Sequence, residues 1–577
     1  MLTIEDIGSY TFPAMLAHTL EKFSDRPALS FITDEPINYA EVGEKIATLR
    51  EALYCSGVEQ GDRVILLGPS SPEWGIAYFA ITTIGAIAVP LLPDFTAKEV
   101  ESCIRHSEAT TLIIATRLAD RVPNPGELSI ERVFRLDDLD MLVGSLDRPG
   151  PVPIIAISEE DTASIIYTSG TTGRSKGVEL THKNLVFCAI RSQFFQRINK
   201  IDVGLSILPM SHVYEFTIGF LMFFMNGACL YYLQRAPTVS TLLPALKQIR
   251  PTIMLSVPLI MEKIYKNKIV PTFTTKPLVA KLYRISFFRK IFHRIAGRSL
   301  KKTFGGRIKF FGIGGAKVDP IVERFMKEAK FPYAIGYGLT ETSPLLAGSG
   351  PKVTRPGTIG AIMPGVEMQI RDQDPKTGIG EVVVRGENVM KGYYRDPEMT
   401  AQVIDEDGWF NTGDIGSLDK KNRLSLKGRS KNLILGSGGE NIYPEDIEFV
   451  LNQHPLVSES LVVEGENASL VALVQINEEK VAEETRKREE RMAANPVQGL
   501  TEAMGDAVND AVSEVSHMFA YKREEILAEI KFFVNENVNR TSRVTRVEPV
   551  EEFEKTASQK IKRYLYTIKK SIQSVGK

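Results

Sequence analysis

The chain has 577 residues, 43 % of them hydrophobic and 24 % charged, with 70 Lys and Arg against 71 Asp and Glu, a formal net charge of −1. A composition this close to the globular average excludes a disordered, collagen-like or coiled-coil chain. The neutral balance also excludes attraction of nucleic acid by overall charge, so any basic binding surface must be local. The length suggests about three to five compact units.

Cysteines and hydropathy restrict the protein class further. Four cysteines without a Cys-x-x-Cys pair are too few for a disulfide scaffold and do not indicate a structural zinc site, so we expect reduced thiols. The N-terminus lacks a basic segment followed by an apolar run, so no secretory signal is predicted and the expected location is cytoplasmic. Two uncharged stretches, 74–93 and 216–234, are interrupted by polar residues, glycine or proline and are predicted to be core.

Strand-like and helix-like patterns alternate along the first two thirds of the chain. Apolar runs at 63–68, 86–91, 110–116, 164–169, 252–257 and 308–314 predict parallel sheets covered by helices on both faces. From about residue 356, short runs at 366–371, 380–386 and 423–428 predict a small antiparallel sheet or barrel. Another αβ pattern follows residue 429, with strands predicted at 470–476 and 543–550. The fold class is therefore α/β, or α+β over several domains.

The segment after the fourth predicted strand carries the strongest chemical signal. It consists of Thr168, Ser169, Gly170, Thr171, Thr172, Gly173 and, after two more residues, Lys176. Glycines allow backbone N–H groups to approach an anion, hydroxyls donate hydrogen bonds and the lysine adds charge, so the segment is predicted to bind a polyphosphate. Its spacing differs from the Walker A pattern. The alternative is a linker rich in Gly, Ser and Thr.

Five further segments follow in a fixed order, namely Leu-Pro-Met-Ser-His at 208–212, Tyr-Gly-Leu-Thr-Glu-Thr at 337–342, Trp-Phe-Asn-Thr-Gly-Asp at 409–414, Gly-Arg-Ser-Lys at 428–431 and Lys-Thr-Ala-Ser-Gln-Lys at 555–560. Together with the 167–177 segment they resemble the signature motifs of the adenylate-forming (AMP-binding) superfamily. Each motif is weak alone, but the ordered set is specific. Residues 257–265 and 312–320 most resemble the long-chain fatty acyl-CoA synthetases of that superfamily.

The resemblance implies a large N-terminal domain, 1–428, of two αβ subdomains and a distorted β-barrel. It implies a small mobile C-terminal domain, 429–577, which contains a charged insertion near 478–520. The implied activity is ATP-dependent activation of a medium- to long-chain fatty acid to acyl-AMP with release of pyrophosphate, followed by transfer to coenzyme A. Mg²⁺ is the implied metal.

The resemblance also implies roles for individual residues. Glu341, with Thr168, is expected to hold Mg²⁺, and Tyr337 to stack on adenine. Asp414 is expected to accept hydrogen bonds from the ribose hydroxyls. The remaining implied nucleotide contacts are the 168–173 loop with Lys176, and Gly315, Ala316, Gly338, Thr340 and Arg429. Thr340 and Glu341 are also implied to be catalytic, as is His212 near the acyl carboxylate, although a lone histidine is often structural.

Lys560 is the implied catalytic cation, because adenylation spreads charge over phosphoryl oxygens. Lys431 is the implied hinge about which the C-terminal domain would rotate to remove Lys560 and admit the thiol. The sequence departs from the family here, since Gln559 and Glu554 stand where glycine and proline are usual. A solvated basic tail is the alternative for this segment.

Substrate and acceptor remain open at this stage. Phe216 occupies the position of an aromatic gate to the acyl tunnel in the resembled enzymes, but its apolar neighbours can equally be core. The acceptor is expected to be coenzyme A, and the alternative is an acyl-AMP ligase or an acyl-carrier-protein synthetase. A non-enzymatic adenylate-binding relative is disfavoured because the key motifs are present. The oligomeric state is open, with a homodimer as one alternative.

The segment 261–309 has 14 Lys and Arg against one acid, Glu262. Leu282, Ile285, Phe288, Phe292 and Ile295 fall at helical spacing within it. Such a helix can lie on an anionic bilayer, so the sequence predicts peripheral contact with the inner membrane face. The alternative is a surface helix whose basic face is solvated.

Overall fold

A computed structural model describes residues 2–148, 150–169, 175–436, 441–465, 469–493, 523–556 and 561–566. The chain divides into two compact units. Unit 1 comprises Met1–Thr412 and Gly416–Leu426, and unit 2 comprises Gly413–Ile415 and Lys427–Lys577. The two units are described separately below.

The strands, in chain order, are β1 (Pro27–Phe31), β2 (Ile37–Asn38), β3 (Arg63–Leu67), β4 (Ile87–Leu91), β5 (Thr111–Ile114), β6 (Arg132–Arg135), β7 (Met141–Val143), β8 (Thr162–Ser169), β9 (Ser175–Thr181), β10 (Val203–Ser206), β11 (Cys229–Tyr232), β12 (Ile253–Ser256), β13 (Phe310–Ile313), β14 (Tyr333–Gly338), β15 (Leu345–Gly348), β16 (Gly360–Ile362), β17 (Val366–Arg371), β18 (Gly380–Gly386), β19 (Gly392–Tyr393), β20 (Phe410–Leu418), β21 (Arg423–Arg429), β22 (Ile434–Leu435), β23 (Asn441–Ile442), β24 (Val457–Glu464), β25 (Leu470–Ile476) and β26 (Arg546–Val550).

The α-helices are α1 (Ile4–Ile7), α2 (Phe12–Phe23), α3 (Tyr39–Cys55), α4 (Pro72–Thr83), α5 (Ala97–Ser107), α6 (His182–Ser192), α7 (Met222–Phe224), α8 (Val239–Ile249), α9 (Pro258–Ile264), α10 (Val270–Thr274), α11 (Pro277–Arg284), α12 (Ser286–Thr303), α13 (Pro320–Glu328), α14 (Pro397–Val403), α15 (Pro444–Leu451), α16 (Glu478–Ala493) and α17 (Arg523–Asn537). A π-helical segment, Glu215–Leu221, runs directly into α7, and the two are called the 215–224 helix. A second π-helical segment, Tyr265–Ile269, joins α9 to α10.

Two large sheets organise unit 1. The first has the strand order β17-β18-β20-β21-β16-β15-β14-β13-β12-β10-β11-β1-β2, and the second β19-β9-β8-β4-β3-β5-β6-β7. The pairs from β14 through β13, β12, β10 and β11 to β1 are parallel, as are β8–β4, β4–β3, β3–β5 and β5–β6. All six apolar runs predicted as strands in this region are confirmed.

Helix α4 lies in the core of unit 1 and contacts strands of both sheets. The Ser71 hydroxyl caps it by accepting a hydrogen bond from the Trp74 N–H at 3.1 Å, and Pro72 occupies its first turn, where no N–H is needed. The residues from Pro72 to Thr82 are buried with one exception, Glu73, so the helix is apolar around its circumference. The predicted buried helix and following strand at 74–93 are therefore confirmed.

The strand pairs β14–β15, β15–β16, β16–β21 and β17–β18 are antiparallel, as predicted for this region. Strands β15 to β18, β20 and β21 continue the first sheet from β14 outward to β17, which is its terminal strand. In the described part of the chain the antiparallel strands thus form the end of one open sheet instead of a distorted barrel. The mixed α/β class is confirmed.

Unit 2 has its own core. A three-stranded sheet, β24-β25-β26, packs with α15 and α17 around buried Ile447, Leu451, Ile530 and Val534. The strands predicted at 470–476 and 543–550 are confirmed as β25 and β26. The predicted charged insertion begins as helix α16, and its remainder, 494–520, lies outside the described residues.

The basic segment 261–309 is not one long helix. α11 ends at Arg284 and α12 begins at Ser286, with the backbone of Ile285 extended between them. The single apolar face predicted from Leu282 to Ile295 is therefore wrong, because the break changes which side chains share a face. No helix among the described residues is both long and apolar enough to cross a membrane.

Candidate functional site

The predicted phosphate-binding segment joins β8 to β9, which form an antiparallel hairpin. Thr168, near the end of β8, pairs with Lys176 on β9, and the backbones of Ser169 and Ser175 form the next pair. Residues 170–174, including the predicted Gly170, Thr171, Thr172 and Gly173, lie outside the described residues. The hairpin therefore brings Thr168 and Lys176 side by side at the base of the segment.

Tyr393 connects two of the predicted site residues. Its hydroxyl donates a hydrogen bond to Glu341 Oε1 at 3.0 Å, and its ring centroid lies 4.9 Å from Lys176 Nζ. Tyr393 is held in place because β19 pairs with β9, with Tyr393 opposite Val178. One aromatic side chain thus contacts both the predicted metal ligand and the predicted phosphate-binding lysine.

Glu341 lies on a short 3₁₀ turn, Thr340–Thr342, that follows β14 and contacts β9. Buried hydrogen bonds hold this turn. The Thr342 hydroxyl donates to the Pro344 carbonyl at 2.6 Å, and Asn388 Nδ2 donates to the carbonyls of Thr342 and Leu345, both at 2.9 Å. The Met390 N–H also donates to the Glu341 carbonyl at 2.8 Å. The turn is therefore fixed from both sides.

A second buried asparagine positions the segment that carries Asn388. Asn184, in the first turn of α6, donates from Nδ2 to the carbonyls of Glu387 and Val389 at 2.8 and 2.9 Å. The Thr181 hydroxyl accepts a hydrogen bond from the Asn184 N–H at 3.1 Å, which caps α6. Helix α6 is thereby linked through residues 387–389 to the turn that presents Glu341.

Glu341 and Thr168 have the chemistry that Mg²⁺ requires. Magnesium in nucleotide sites is bound by one or two protein carboxylates together with substrate phosphates. Glu341 is one such carboxylate, and the Thr340–Thr342 turn contacts β9, the strand next to Thr168. The described residues contain no group of three or more His, Cys, Asp or Glu that could hold a metal ion by itself. The donor set therefore fits a metal that is bound with nucleotide phosphates.

The predicted adenine-contacting residues follow two neighbouring parallel strands, β13 and β14. Gly315 and Ala316 are exposed just after β13, and Gly315 has φ +85°, a conformation that favours glycine. Tyr337 lies near the end of β14, mostly buried. At Gly338 a Cβ atom would lie 1.7 Å from the Pro344 carbonyl oxygen, so a side chain is excluded.

Asp414 and Arg429 are brought together in unit 2. Arg429 Nε lies 2.8 Å from Asp414 Oδ1, with the Asp414 side chain buried and that of Arg429 half exposed. Lys431, the predicted hinge, is exposed on a 3₁₀ turn, Ser430–Asn432. Lys560 lies outside the described residues, so its predicted role stays a prediction.

A narrow apolar cavity, part of it open to solvent, lies within unit 1. One wall is formed by strands β12 to β15, where three of the lining residues are Gly312, Gly336 and Gly348. The opposite wall includes Ile218 and Met222 of the 215–224 helix. Among the described residues that line it, none carries a formal charge.

Phe216, the predicted gate, is not among the residues that line this cavity. It is 2 % exposed and lies in an aromatic cluster, with its ring centroid 4.1 Å from Tyr78 and 5.8 Å from Phe220. His212 lies one turn before Phe216 and its carbonyl accepts the Phe216 N–H at 3.0 Å. The structure thus separates the aromatic side of this helix from the side that faces the cavity.

The same helix contains a buried carboxyl group. Glu215 is 2 % exposed, and the Ser206 hydroxyl donates to its Oε1 at 2.6 Å. Gly219, one turn later, leaves the space that the carboxyl occupies, because a Cβ there would lie 2.6 Å from Glu215 Cδ. Burial raises the pKa of Glu215 to about 8, so the group is mainly protonated at neutral pH.

Three positioning or contact residues were missed by the sequence analysis, namely Asn184, Asn388 and Tyr393. Asparagine is unremarkable in composition, and its role here depends on carbonyl groups that are distant in sequence. Tyr393 had a local signal, since Lys-Gly-Tyr-Tyr at 391–394 is a compact glycine–aromatic segment after a strand.

Known proteins resemble this chain over most of its length. The AMP-binding enzyme family matches residues 16–394. A long-chain-fatty-acid–CoA ligase of Mycobacterium bovis is 30 % identical over 533 residues, which cover 85 % of this chain and 86 % of that protein. A 4-coumarate–CoA ligase of Vanilla planifolia is 30 % identical over 485 residues, which cover 79 % of this chain and 81 % of that protein.

Solved structures support the fold. ATP-bound MatB from Rhodopseudomonas palustris has a TM-score of 0.72 at 22 % identity, over 96 % of this chain and 98 % of that chain. The o-succinylbenzoate CoA synthetase of Bacillus subtilis, in complex with ATP and magnesium ion, also has a TM-score of 0.72 at 22 % identity, over 95 % and 98 %. The ordered motifs, the Lys176–Tyr393–Glu341 arrangement and the match over residues 16–394 lead to one conclusion: the chain belongs to the AMP-binding enzyme family.

Proposed function

We propose that this protein is an AMP-forming acid–thiol ligase that activates a medium- to long-chain fatty acid with ATP and transfers it to coenzyme A. In the first step a carboxylate oxygen attacks the α-phosphorus of ATP, an acyl-AMP forms and pyrophosphate leaves. In the second step the coenzyme A thiol attacks the acyl carbon, a thioester forms and AMP leaves.

The apolar cavity is the observation that carries the fatty acid assignment. Strand β14 contributes Ala334, Ile335 and Gly336 to its wall, and the next residue is Tyr337, proposed to stack on adenine. An acyl chain in the cavity would therefore lie next to the proposed nucleotide residues. The described lining residues offer no charged partner for an ammonium group or a second carboxylate, which disfavours amino acids and dicarboxylic acids.

The proposed roles follow from the described contacts. Thr168, Lys176 and Glu341 hold the phosphates and their metal, and Mg²⁺ would supply neutralisation of phosphate charge. Tyr393 orients the Glu341 carboxylate, and the two asparagines fix its backbone. Ile218 and Met222 take the place of Phe216 as the proposed acyl contacts on the 215–224 helix. Lys560 is proposed to stabilise charge during adenylation only.

Coenzyme A is favoured as the acceptor because the relatives described above are named as CoA ligases. Transfer to a free acyl-carrier protein is the alternative. The two differ only in the second step, so a test must measure the half-reactions separately.

The test measures ATP–pyrophosphate exchange with acids of 4 to 18 carbons, 4-coumarate and a dicarboxylic acid, and then thioester formation with coenzyme A or acyl-carrier protein. We expect exchange to be highest with a fatty acid and the thioester to form with coenzyme A. Lys560→Ala should depress exchange by orders of magnitude and spare thioester formation from supplied acyl-AMP. Preference for 4-coumarate, or equal loss in both half-reactions, would contradict the proposal.

The glycines that line the cavity allow a more specific test of where the acyl chain binds. A Cβ at Gly348 would meet no atom closer than 3.4 Å, so the backbone there has room for a first side-chain carbon, and Gly348→Val narrows the cavity. We expect the preferred acid to become shorter, while exchange with the shortest accepted acid is retained. Gly126→Val is the matched control, because Gly126 lies outside the cavity with no atom within 4 Å of the added Cβ. An unchanged chain-length profile for Gly348→Val would remove this cavity as the acyl site.

A further inference from the structure

Helix α12 exposes a stripe of large apolar side chains. Phe287, Ile291 and Ile295 are 68, 37 and 55 % exposed and are spaced four residues apart. On a helix with 3.6 residues per turn, successive members of this series differ by only about 40°, so all three lie on one side. Ile285, at the break before the helix, and Leu278 on α11 are also exposed, 51 and 72 %.

The opposite side of α12 is firmly packed. His293, Ala296, Gly297 and Leu300 are buried, and a Cβ at Gly297 would lie 2.2 Å from the Ala329 carbonyl oxygen. Glu328 on α13 forms an ion pair with Arg289 at 3.0 Å, and its Oε2 lies 2.7 Å from Nδ1 of His293. The rotation of α12 about its axis is therefore fixed, and its apolar stripe faces outward because the other face is occupied.

Basic side chains flank the stripe. Lys290, Arg294 and Arg298 are exposed on the same side of α12, and Lys281 and Arg284 are exposed at the end of α11. None of these five makes an ion pair within the described part of the chain, in contrast to Arg289. The one acid of residues 261–309, Glu262, is only partly exposed and accepts a hydrogen bond from the Asp319 N–H at 3.3 Å.

We propose that the exposed sides of α11 and α12 bind the headgroup region of an anionic lipid bilayer. Phe287, Ile291 and Ile295 would enter the boundary between headgroups and acyl chains. The flanking lysines and arginines would contact lipid phosphates while their methylene stems cover apolar surface. The inference is independent of the proposed function.

Two features favour a bilayer over solvent as the environment of this face. A solvated basic helix has no need for large apolar side chains at every fourth position between its charges. Anionic lipid matches both properties at once, because headgroup phosphates attract the basic residues and the acyl boundary accepts the apolar ones. The charge match is local, since the whole chain has a net charge of −1.

The test is co-sedimentation with vesicles of phosphatidylcholine alone or with 30 % phosphatidylglycerol, at low and high salt. We expect binding that requires phosphatidylglycerol and weakens with salt. The triple variant Arg284→Gln, Lys290→Gln, Arg294→Gln should bind on the order of 100-fold more weakly. The triple variant Phe287→Ser, Ile291→Ser, Ile295→Ser should lose at least about 10-fold.

Matched controls lie on other exposed parts of unit 1. One control is a triple variant that removes the same charge, Lys352→Gln, Lys376→Gln, Lys421→Gln. The other is a double variant that removes exposed apolar side chains, Ile201→Ser with Val353→Ser. Both controls should bind as the wild type does. Circular dichroism of each variant establishes that it is folded.

A fluorescence probe tests insertion directly. The two native tryptophans, Trp74 and Trp409, are buried, so Phe287→Trp adds an exposed reporter. Its emission should shift to the blue on phosphatidylglycerol vesicles, and that of Ile201→Trp should not. The proposal would be overturned if the protein did not bind vesicles at low salt, or if the control variants lost as much vesicle binding as the test variants. Binding to RNA without binding to vesicles would also overturn it.

Discussion

The 215–224 helix and helix α12 both carry large apolar side chains every four residues, yet their environments are opposite. Phe216, Phe220 and Phe224 are at most 2 % exposed and form a continuous aromatic stack with centroid distances of 5.8 and 5.7 Å. Phe287, Ile291 and Ile295 have the same spacing and face outward. Spacing alone therefore identifies a stripe but not what covers it.

Charge distinguishes the two helices. Residues 216–224 contain no Lys, Arg, Asp or Glu, and both sides of that helix are in contact with protein or line the cavity. Around the α12 stripe, by contrast, basic residues alternate with the apolar ones. Because burying an unpaired cation is costly, a stripe with interleaved cations must remain at the surface.

The largest difference in unfolding free energy between the two helices should appear when one phenylalanine in each is replaced by alanine. Phe220→Ala removes a fully buried ring that packs 5.3 Å from Phe79, and we expect a loss of about 3–5 kcal/mol in unfolding free energy. Phe287→Ala should change it by less than about 0.5 kcal/mol. Urea unfolding followed by tryptophan fluorescence measures both, because Trp74 and Trp409 lie in unit 1. Similar losses in the two variants would break the comparison.

The buried carboxyl of Glu215 should make unit 1 less stable as the pH rises. Its folded pKa of about 8 exceeds the ordinary value of 4.5, so between these values the folded state holds a proton that the unfolded state has released. The contribution is fully present below about pH 4.5 and lost above about pH 8, with a slope of at most about 1.4 kcal/mol per pH unit. Glu215→Gln removes this slope.

The measurement is urea unfolding of wild type and Glu215→Gln at pH 5, 6.5 and 8. The stability of the wild type relative to the variant should fall across this series. Glu398→Gln, at an exposed glutamate, should show no such trend. A constant difference between wild type and Glu215→Gln would mean that the carboxyl is ionised throughout.

A smaller change in unfolding free energy should test whether the inner face of α12 is tightly packed. Gly297→Ala places a Cβ 2.2 Å from a backbone oxygen, and we expect a net loss of about 1–2 kcal/mol despite the better helix propensity of alanine. Ser299→Ala, on the exposed face, should be neutral or slightly stabilising. Tolerance of Gly297→Ala would mean that α12 is less tightly docked than described.

Sequence reasoning identified most strands because a buried parallel strand is a short apolar run, as in 63–68 and 252–257. It placed Glu341 and Lys176 in one site through their motifs. It left open whether Phe216 borders an acyl tunnel or packs in the core, because which side of an all-apolar helix faces a void depends on neighbouring elements. It missed the break at Ile285, since the helical spacing on either side continues through it.

The asparagine contacts impose an order on how the protein can be made. Asn184 donates to carbonyls 203 and 205 residues later in the chain, and Asn388 donates to a carbonyl 46 residues earlier. During synthesis, the hairpin of β8 and β9 leaves the ribosome long before the partners that complete the site. The Thr340–Thr342 turn gains its hydrogen bonds from Asn388 and Met390 only after those residues have emerged, so a nascent chain that ends earlier lacks the full arrangement that presents Glu341.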